Sequence, residues 1–189
     1  KTDYTSDFGY FFEFLVSYSL NGKYSILTGL NYNYFSLKIN DKIGLIENKG
    51  NLTSSYFTLP ILIKYRLSDK IPFTLSAGPY IGYLVNANEK GTSYIDTAGL
   101  VFAEPDPLIQ SIEPVRKYNT NIKKDFTSID YGLSLQLEFE IKLNKLLDVV
   151  ILTRFNCGLK DIVTNDLVNN SLAGDWKNYN LTIGLGLKL

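Results

Sequence analysis

From Phe8 to Leu20 the side chains alternate. Phe8, Tyr10, Phe12, Phe14, Val16, Tyr18 and Leu20 share one parity; Gly9, Phe11, Glu13, Leu15, Ser17 and Ser19 share the other. A period of two held over that length predicts a β-strand with one apolar face. Strands of soluble domains run to about five or six residues, whereas a tilted strand crossing a bilayer needs roughly nine to eleven. The same alternation predicts strands near residues 8–20, 23–36, 55–67, 73–86, 126–141, 147–159 and 177–189. It is cleanest in the fifth, where Ile129, Tyr131, Leu133, Leu135, Leu137, Phe139 and Ile141 oppose Asp130, Gly132, Ser134, Gln136, Glu138 and Glu140.

With the last apolar row counted from Tyr179 to Leu189, no charged residue falls on the apolar face of any of these segments, and the opposite parity is rich in Gly, Ser, Thr and Asn. A soluble ligand-holding barrel turns its apolar face inward and leaves charge outside. Here the apolar faces are too bulky and numerous for a small interior. Large apolar residues outside and small polar ones inside describe a transmembrane β-barrel; a soluble sandwich is the competing reading, and the strand lengths disfavour it. Aromatic placement agrees. Tyr18, Tyr24, Tyr65, Phe73 and Phe139 gather near one end of their strands, and Phe8, Tyr10, Tyr32, Tyr34, Phe57, Tyr83, Tyr131 and Tyr179 near the other. Two such groups match the interfacial girdles of a membrane barrel. The strand preference of Tyr explains its abundance but not that placement.

Composition narrows the function. The 189 residues suit one domain spanning 1–189, and a formal net charge of +0 with no basic patch argues against a nucleic-acid partner. Mean hydropathy is close to zero, as expected when half of each strand is polar. Histidine is absent, which removes the usual Ser-His hydrolase arrangements and many metal sites. We therefore expect no catalytic residue, no cofactor and no metal. The single cysteine, Cys157, lies on the apolar parity and reads as an inert lipid-facing thiol. The chain has no Met and no leader at its start, which implies a processed or truncated product.

Short connections alternate with long ones. Asn21-Gly22 reads as a two-residue hairpin, and Ser68 to Pro72 and Lys142 to Leu146 are tight, whereas 37–54, 87–125 and 160–175 are long and polar. Bacterial barrels keep short turns in the periplasm and long loops outside. That rule puts Leu189 in the periplasm and residues 1–7 on the outer side. Seven visible strands starting outside do not make an even-numbered barrel. The expected fold is an all-β, antiparallel up-and-down transmembrane barrel of about eight strands, the first missing upstream of Lys1. The alternatives are a strand within Tyr94 to Ala103, or one supplied by another chain.

Several stretches resemble the PorT-like, or porin-family, outer-membrane β-barrel proteins. They are Tyr56-Phe57-Thr58-Leu59-Pro60-Ile61-Leu62-Ile63-Lys64-Tyr65, Ala77-Gly78-Pro79-Tyr80-Ile81-Gly82-Tyr83-Leu84, Asp130-Tyr131-Gly132-Leu133, Arg154-Phe155-Asn156-Cys157-Gly158-Leu159-Lys160-Asp161-Ile162 and Gly184-Leu185-Gly186-Leu187. The resemblance implies the outer membrane of a Gram-negative bacterium, a small barrel with one strand more than is visible here, and no shared enzymatic activity. Leu189 departs from the aromatic residue on which such barrels often finish. PorT itself is associated with secretion and gliding systems, a role that the resemblance does not carry over.

On the inward parity stand Glu13, Lys64, Arg66, Asp130, Glu138, Glu140 and Arg154. An eight-stranded interior is just wide enough for side chains to fill, so these charges are expected to pair as a structural network that plugs the lumen; a conducting pore is the alternative. Function then falls to the loops, the rim or the outer wall. The 87–125 stretch, with Glu104-Pro105-Asp106-Pro107 and Glu113-Pro114-Val115-Arg116, either binds a partner or varies as exposed loops do. Asp161 and Asp166 can touch divalent ions bridging lipopolysaccharide, but solvated loop charge is the simpler account. Asn51-Leu52-Thr53 and Asn180-Leu181-Thr182 match a glycosylation pattern that a bacterial barrel does not use. The expected function is a non-enzymatic structural or interaction barrel in contact with outer-membrane lipid and lipopolysaccharide, as a candidate accessory subunit of a larger outer-membrane complex. The alternative is a small-solute porin.

Overall fold

Pairing turns the alternation into register. In a computed structural model, which describes residues 2–68, 72–95, 115–143, 147–163 and 177–188, the chain forms strands β1 (Thr2–Ser6), β2 (Tyr10–Ser19), β3 (Tyr24–Ile43), β4 (Ile46–Arg66) and β5 (Phe73–Ile95). They continue with β6 (Val115–Asn121), β7 (Ile129–Lys142), β8 (Asp148–Gly158) and β9 (Tyr179–Lys188). Every neighbouring pair is antiparallel and follows chain order, with β1 and β2 sharing the edge of β3, and β6 and β7 sharing the edge of β5. A 3-10 turn, Lys123–Asp125, bends the chain between β6 and β7. Antiparallel neighbours joined in sequence make an up-and-down sheet.

The two faces of that sheet invert the usual order. On β7, Leu133 and Leu135 are 54% and 49% exposed, while Ser134 between them and Gln136 beside them are 3% and 0% exposed. Water would reject such an outer surface, and hydrocarbon accepts it. Outward aromatics form two belts. At one end Tyr10 stacks on Tyr34 at 4.8 Å between centroids and Tyr32 meets Phe57 edge-on at 5.4 Å. At the other, Tyr24 packs on Tyr65 at 5.1 Å and Phe73 on Phe139 at 4.8 Å. On β3 the belts lie ten residues apart, Tyr24 to Tyr34, and at ~3.3 Å per residue with a tilt near 40° this spans about 25 Å, the height of an outer-membrane apolar band.

The strands do not stop at the membrane boundary. Residues 37–54, expected as a loop, form a hairpin in which β3 and β4 run on in register to Ile43 and Ile46, turning at Gly44 with φ +59°. Likewise β5 continues to Ile95, and β6 lies within the stretch expected to be loop. Together β1, the far halves of β3 to β5, and β6 build a blade standing on one end of the barrel. Its strands evaded the sequence pattern because the apolar parity reverses. Tyr32 and Tyr34 face outward, whereas from Phe35 on the apolar residues Phe35, Leu37 and Ile39 are half-buried, with Lys38, Asn40 and Lys42 exposed. A strand leaving hydrocarbon for water must turn its apolar side inward. The reversal therefore marks where the bilayer ends.

Two smaller expectations change. A β-bulge at Val85 restores pairing as Ser55↔Asn86 beside Tyr56↔Leu84, so Asn86 points outward and Ala87 inward, opposite to simple alternation. The Asn21-Gly22 turn is a three-residue loop closed by Leu20 N–H to the Tyr24 carbonyl at 2.9 Å. The Asn21 side chain stabilises it by accepting from the Lys23 and Tyr24 amides at 2.9 and 2.8 Å. The Pro-rich stretches around Glu104 and Glu113, residues 96–103 of the alternative strand, Asp166 and Leu189 lie outside the described residues.

The sheet curls but does not close. β2 and β9 are its edges and run in the same direction, since an even number of antiparallel steps separates them. Their outer residues are correspondingly bare. Phe14 is 73% and Leu185 78% exposed, well above Leu135 in mid-sheet. Inside, Phe11 of β2 reaches across to β9, where a Cβ on Gly184 would sit 2.3 Å from its ring. Unpaired strand edges in hydrocarbon leave backbone groups unsatisfied at several kcal/mol each, so the gap needs filling. One further strand, antiparallel to both edges, would hold β2 and β9 about 10 Å apart, beyond the ~7 Å that a disulfide bridges. With Cys157 replaced by Ser, cysteine pairs combining Phe12, Phe14 or Val16 with Leu181, Ile183 or Leu185 are predicted to stay reduced under oxidant in the folded protein. Efficient crosslinking of any pair would show instead that β2 and β9 meet directly.

Candidate functional site

The inward side chains of β7 stack from the tight-turn end toward the blade as Glu140, Glu138, Gln136, Ser134, Gly132 and Asp130. This column organises the lumen, because its neighbours deliver partners at each level. Near the turn end Lys188 of β9 donates to Glu140 at 2.8 Å, and Lys64 of β4 donates to Glu140 at 3.3 Å and to Glu138. Thr74 adds a hydrogen bond to Glu138 at 3.3 Å. One level up, the Gln136 amide donates to Glu138 at 2.6 Å, while its carbonyl accepts from Arg154 Nε at 2.6 Å. The same guanidinium reaches Glu13 of β2 at 2.7 Å. A continuous chain of charge-assisted contacts therefore runs from β9 to β2 through β7, β4 and β8. Alternation along each strand aims every one of these side chains inward.

Three carboxylates, Glu13, Glu138 and Glu140, meet three cations, Lys64, Arg154 and Lys188. Lys64 and Arg154 are only 8% and 3% exposed, so the charges have left water and rest on one another. Such pairs contribute little net stability against an apolar filling, but removing one partner strands the other.

Toward the blade, Asp130 is the one buried charge among the described residues. Tyr80 donates its hydroxyl to Asp130 Oδ2 at 3.1 Å, and Asn178 donates to the same oxygen at 3.1 Å. Asn180 hands a hydrogen bond to Asn178 at 3.4 Å and accepts one from Asn156 at 3.1 Å. Above this polar layer sits an apolar stopper: Tyr56, Leu84 and Ala87 are buried together, with Phe35, Ile122 and Phe126 packed against them. Ile122 and Phe126 flank the 3-10 turn, which the Ile122 amide ties to the Ala87 carbonyl at 3.0 Å.

Of the seven inward charges expected from the sequence, the structure brings Glu13, Lys64, Glu138, Glu140 and Arg154 into one network and leaves Asp130 in a separate layer. Arg66 stands apart. As the last residue of β4 it lies beyond Lys64 toward the turn and is exposed, where water solvates its guanidinium. Lys188 and Gln136 belong to the network without having been singled out. The parity of their strands was the available signal for both. Tyr80 and Asn178 were invisible as partners of Asp130, since nothing local links β5 to the start of β9. Cys157 is half-buried on the outer face. Among the described residues no three His, Cys, Asp or Glu side chains converge as a metal site.

Residues 1–164 match the model of a family described as the outer membrane protein beta-barrel domain. No curated protein and no solved structure matches the chain.

Arg154→Leu tests the network. Glu13 and Gln136 would lose their buried donor, at a cost of about 3–5 kcal/mol. The folded band on a detergent gel is therefore predicted to convert to the unfolded one at a clearly lower temperature, and Glu13→Leu added to Arg154→Leu should recover part of the loss. Unchanged heat resistance in the single variant would contradict the role given to this ion pair.

Proposed function

The chain belongs to the outer membrane protein beta-barrel domain family, and from that premise we propose that it is a non-conducting barrel that presents its blade to a partner. Outer-membrane residence follows from the family. The narrower kinship with PorT-like proteins rests on the Leu59-Pro60 and Ala77-Gly78-Pro79-Tyr80 motifs.

The filled lumen is the observation that carries this reading. The ion network spans from β9 to β2, and the stopper of Tyr56, Leu84, Ala87, Phe35, Ile122 and Phe126 closes the other end. A porin keeps a water-filled channel, which needs a far wider barrel than about eight strands provide. The blade offers what the lumen does not. Past Tyr34, β3 runs on for nine residues, roughly 30 Å of strand at ~3.3 Å per residue, beyond the aromatic belt. The blade is also built to hold its shape. Gly50, Gly91 and Tyr118 lie side by side in register. The Tyr118 hydroxyl occupies the space over both glycines, 2.8 and 2.6 Å from where their Cβ atoms would sit, and donates to Glu89 at 2.9 Å. Burial first, then the Glu89 contact, pushes the Tyr118 hydroxyl up to about 12, so the phenol keeps this bond throughout the physiological range. Rigid, elongated, polar-faced extensions suit protein recognition. By the rule that short turns are periplasmic, the blade faces outside the cell and touches lipopolysaccharide at its base. An accessory place in a larger outer-membrane complex fits this shape, with one additional strand closing the seam between β2 and β9.

Planar-bilayer recording tests the reading. Silence is predicted for the reconstituted protein, and mild-detergent extraction should retain a partner that is lost when residues 37–52 are replaced by a short turn. Discrete conductance steps would overturn it and favour a small-solute porin.

A further inference from the structure

The lumen charges divide unequally. Below, three acids and three bases cancel; Asp130 is the carboxylate left over. It is 1% exposed, and among the described residues no ion pair reaches it. Lys160 acts on it only through space. Its two side-chain donors, Tyr80 and Asn178, use Oδ2, and the Tyr131 backbone also favours the ionised carboxylate. Oδ1 is buried with no hydrogen-bond partner. A second orphan stands nearby. The Tyr56 hydroxyl is also buried without a partner, on a side chain only 2% exposed. The two side chains converge over Gly82, where a Cβ would lie 3.7 Å each from Asp130 Cβ, Tyr56 Cδ1 and Thr58 Oγ1. Glycine there keeps the floor between them clear of any side chain.

A buried carboxylate with a free oxygen and no counter-charge is too costly to leave as it stands. The available donors specify what resolves it. They are hard oxygens, with one negative charge among them, which suits an alkali cation. Divalent calcium takes several carboxylates, and soft metals take nitrogen and sulfur ligands. We propose that the oxygens gathered over Gly82 bind one monovalent cation of sodium or potassium size, with Asp130 Oδ1 as the anionic ligand and the Tyr56 hydroxyl and Thr58 Oγ1, which also accepts from Asn33 at 3.1 Å, as neutral ones. The site neutralises the lumen, and it does not depend on whether the barrel docks a partner.

The test uses the refolded protein in zwitterionic detergent at constant ionic strength, replacing N-methylglucamine chloride stepwise with sodium or potassium chloride and following the thermal unfolding midpoint. A ligand that binds the folded state raises the midpoint with the logarithm of its concentration above an onset. The expected result is such a rise with sodium or potassium, absent in Asp130→Asn, and with an onset several-fold higher in Tyr56→Phe. Identical midpoints in all three salts, as water alone beside Asp130 would give, overturn the proposal. So does an Asp130→Asn variant that keeps the cation dependence. Should that variant fail to refold, wild type against Tyr56→Phe decides, and an unchanged onset overturns it.

Discussion

Hydrocarbon cannot solvate a charge or a bare peptide group, and this constraint sorts every residue of the membrane segments by parity. Each strand crossing the bilayer has two faces, and its charged side chains have one place to go. Hence Glu13, Lys64, Glu138, Glu140 and Arg154 all point inward, and the Phe, Leu, Ile and Tyr rows all point outward. The constraint acts on the backbone too, which is why the bare edges of β2 and β9 are the one place where the described structure is unfinished.

Once charges are forced inside a narrow barrel, they must satisfy one another. The β7 column shows how. Its two glutamates are too close to stand alone, and β4 and β9 supply Lys64 and Lys188 at their level, while Gln136 relays from Glu138 to Arg154 and so to Glu13. The network crosses strands remote in sequence, so it ties β2 to β8 across the lumen. The apolar stopper at the blade end completes the filling with a different chemistry, because there the barrel meets water and the apolar parity has turned inward.

The same physics decides what the sequence could disclose. The seven membrane-crossing strands were legible, since two solvents of opposite character on the two faces imprint a strict period of two; β7 is the clearest case. The blade was not. Phe35, Leu37 and Ile39 still alternate with Ser36, Lys38 and Asn40, but on the opposite parity, so a pattern followed from Tyr24 ends there as though the strand did. β1 and β6 are short and mostly polar, and only their partners β3 and β5 make them strands. Inward charge was legible one residue at a time, while pairing was not, because Lys64 to Glu138 or Arg154 to Glu13 depends on how strands are staggered around the barrel. Arg66 shows the limit of parity alone, which gives direction but not whether a residue still lies within the lumen.

Single-tryptophan scanning along β7 in vesicles of brominated lipid addresses the central claim most directly, with Trp176 replaced by Phe and one Trp placed in turn at each position from Tyr131 to Phe139. Bromines on the acyl chains quench only indoles that touch them. The account predicts strong quenching at Tyr131, Leu133, Leu135, Leu137 and Phe139 and weak quenching at Gly132, Ser134, Gln136 and Glu138. Uniform quenching, or the inverse alternation, would contradict it.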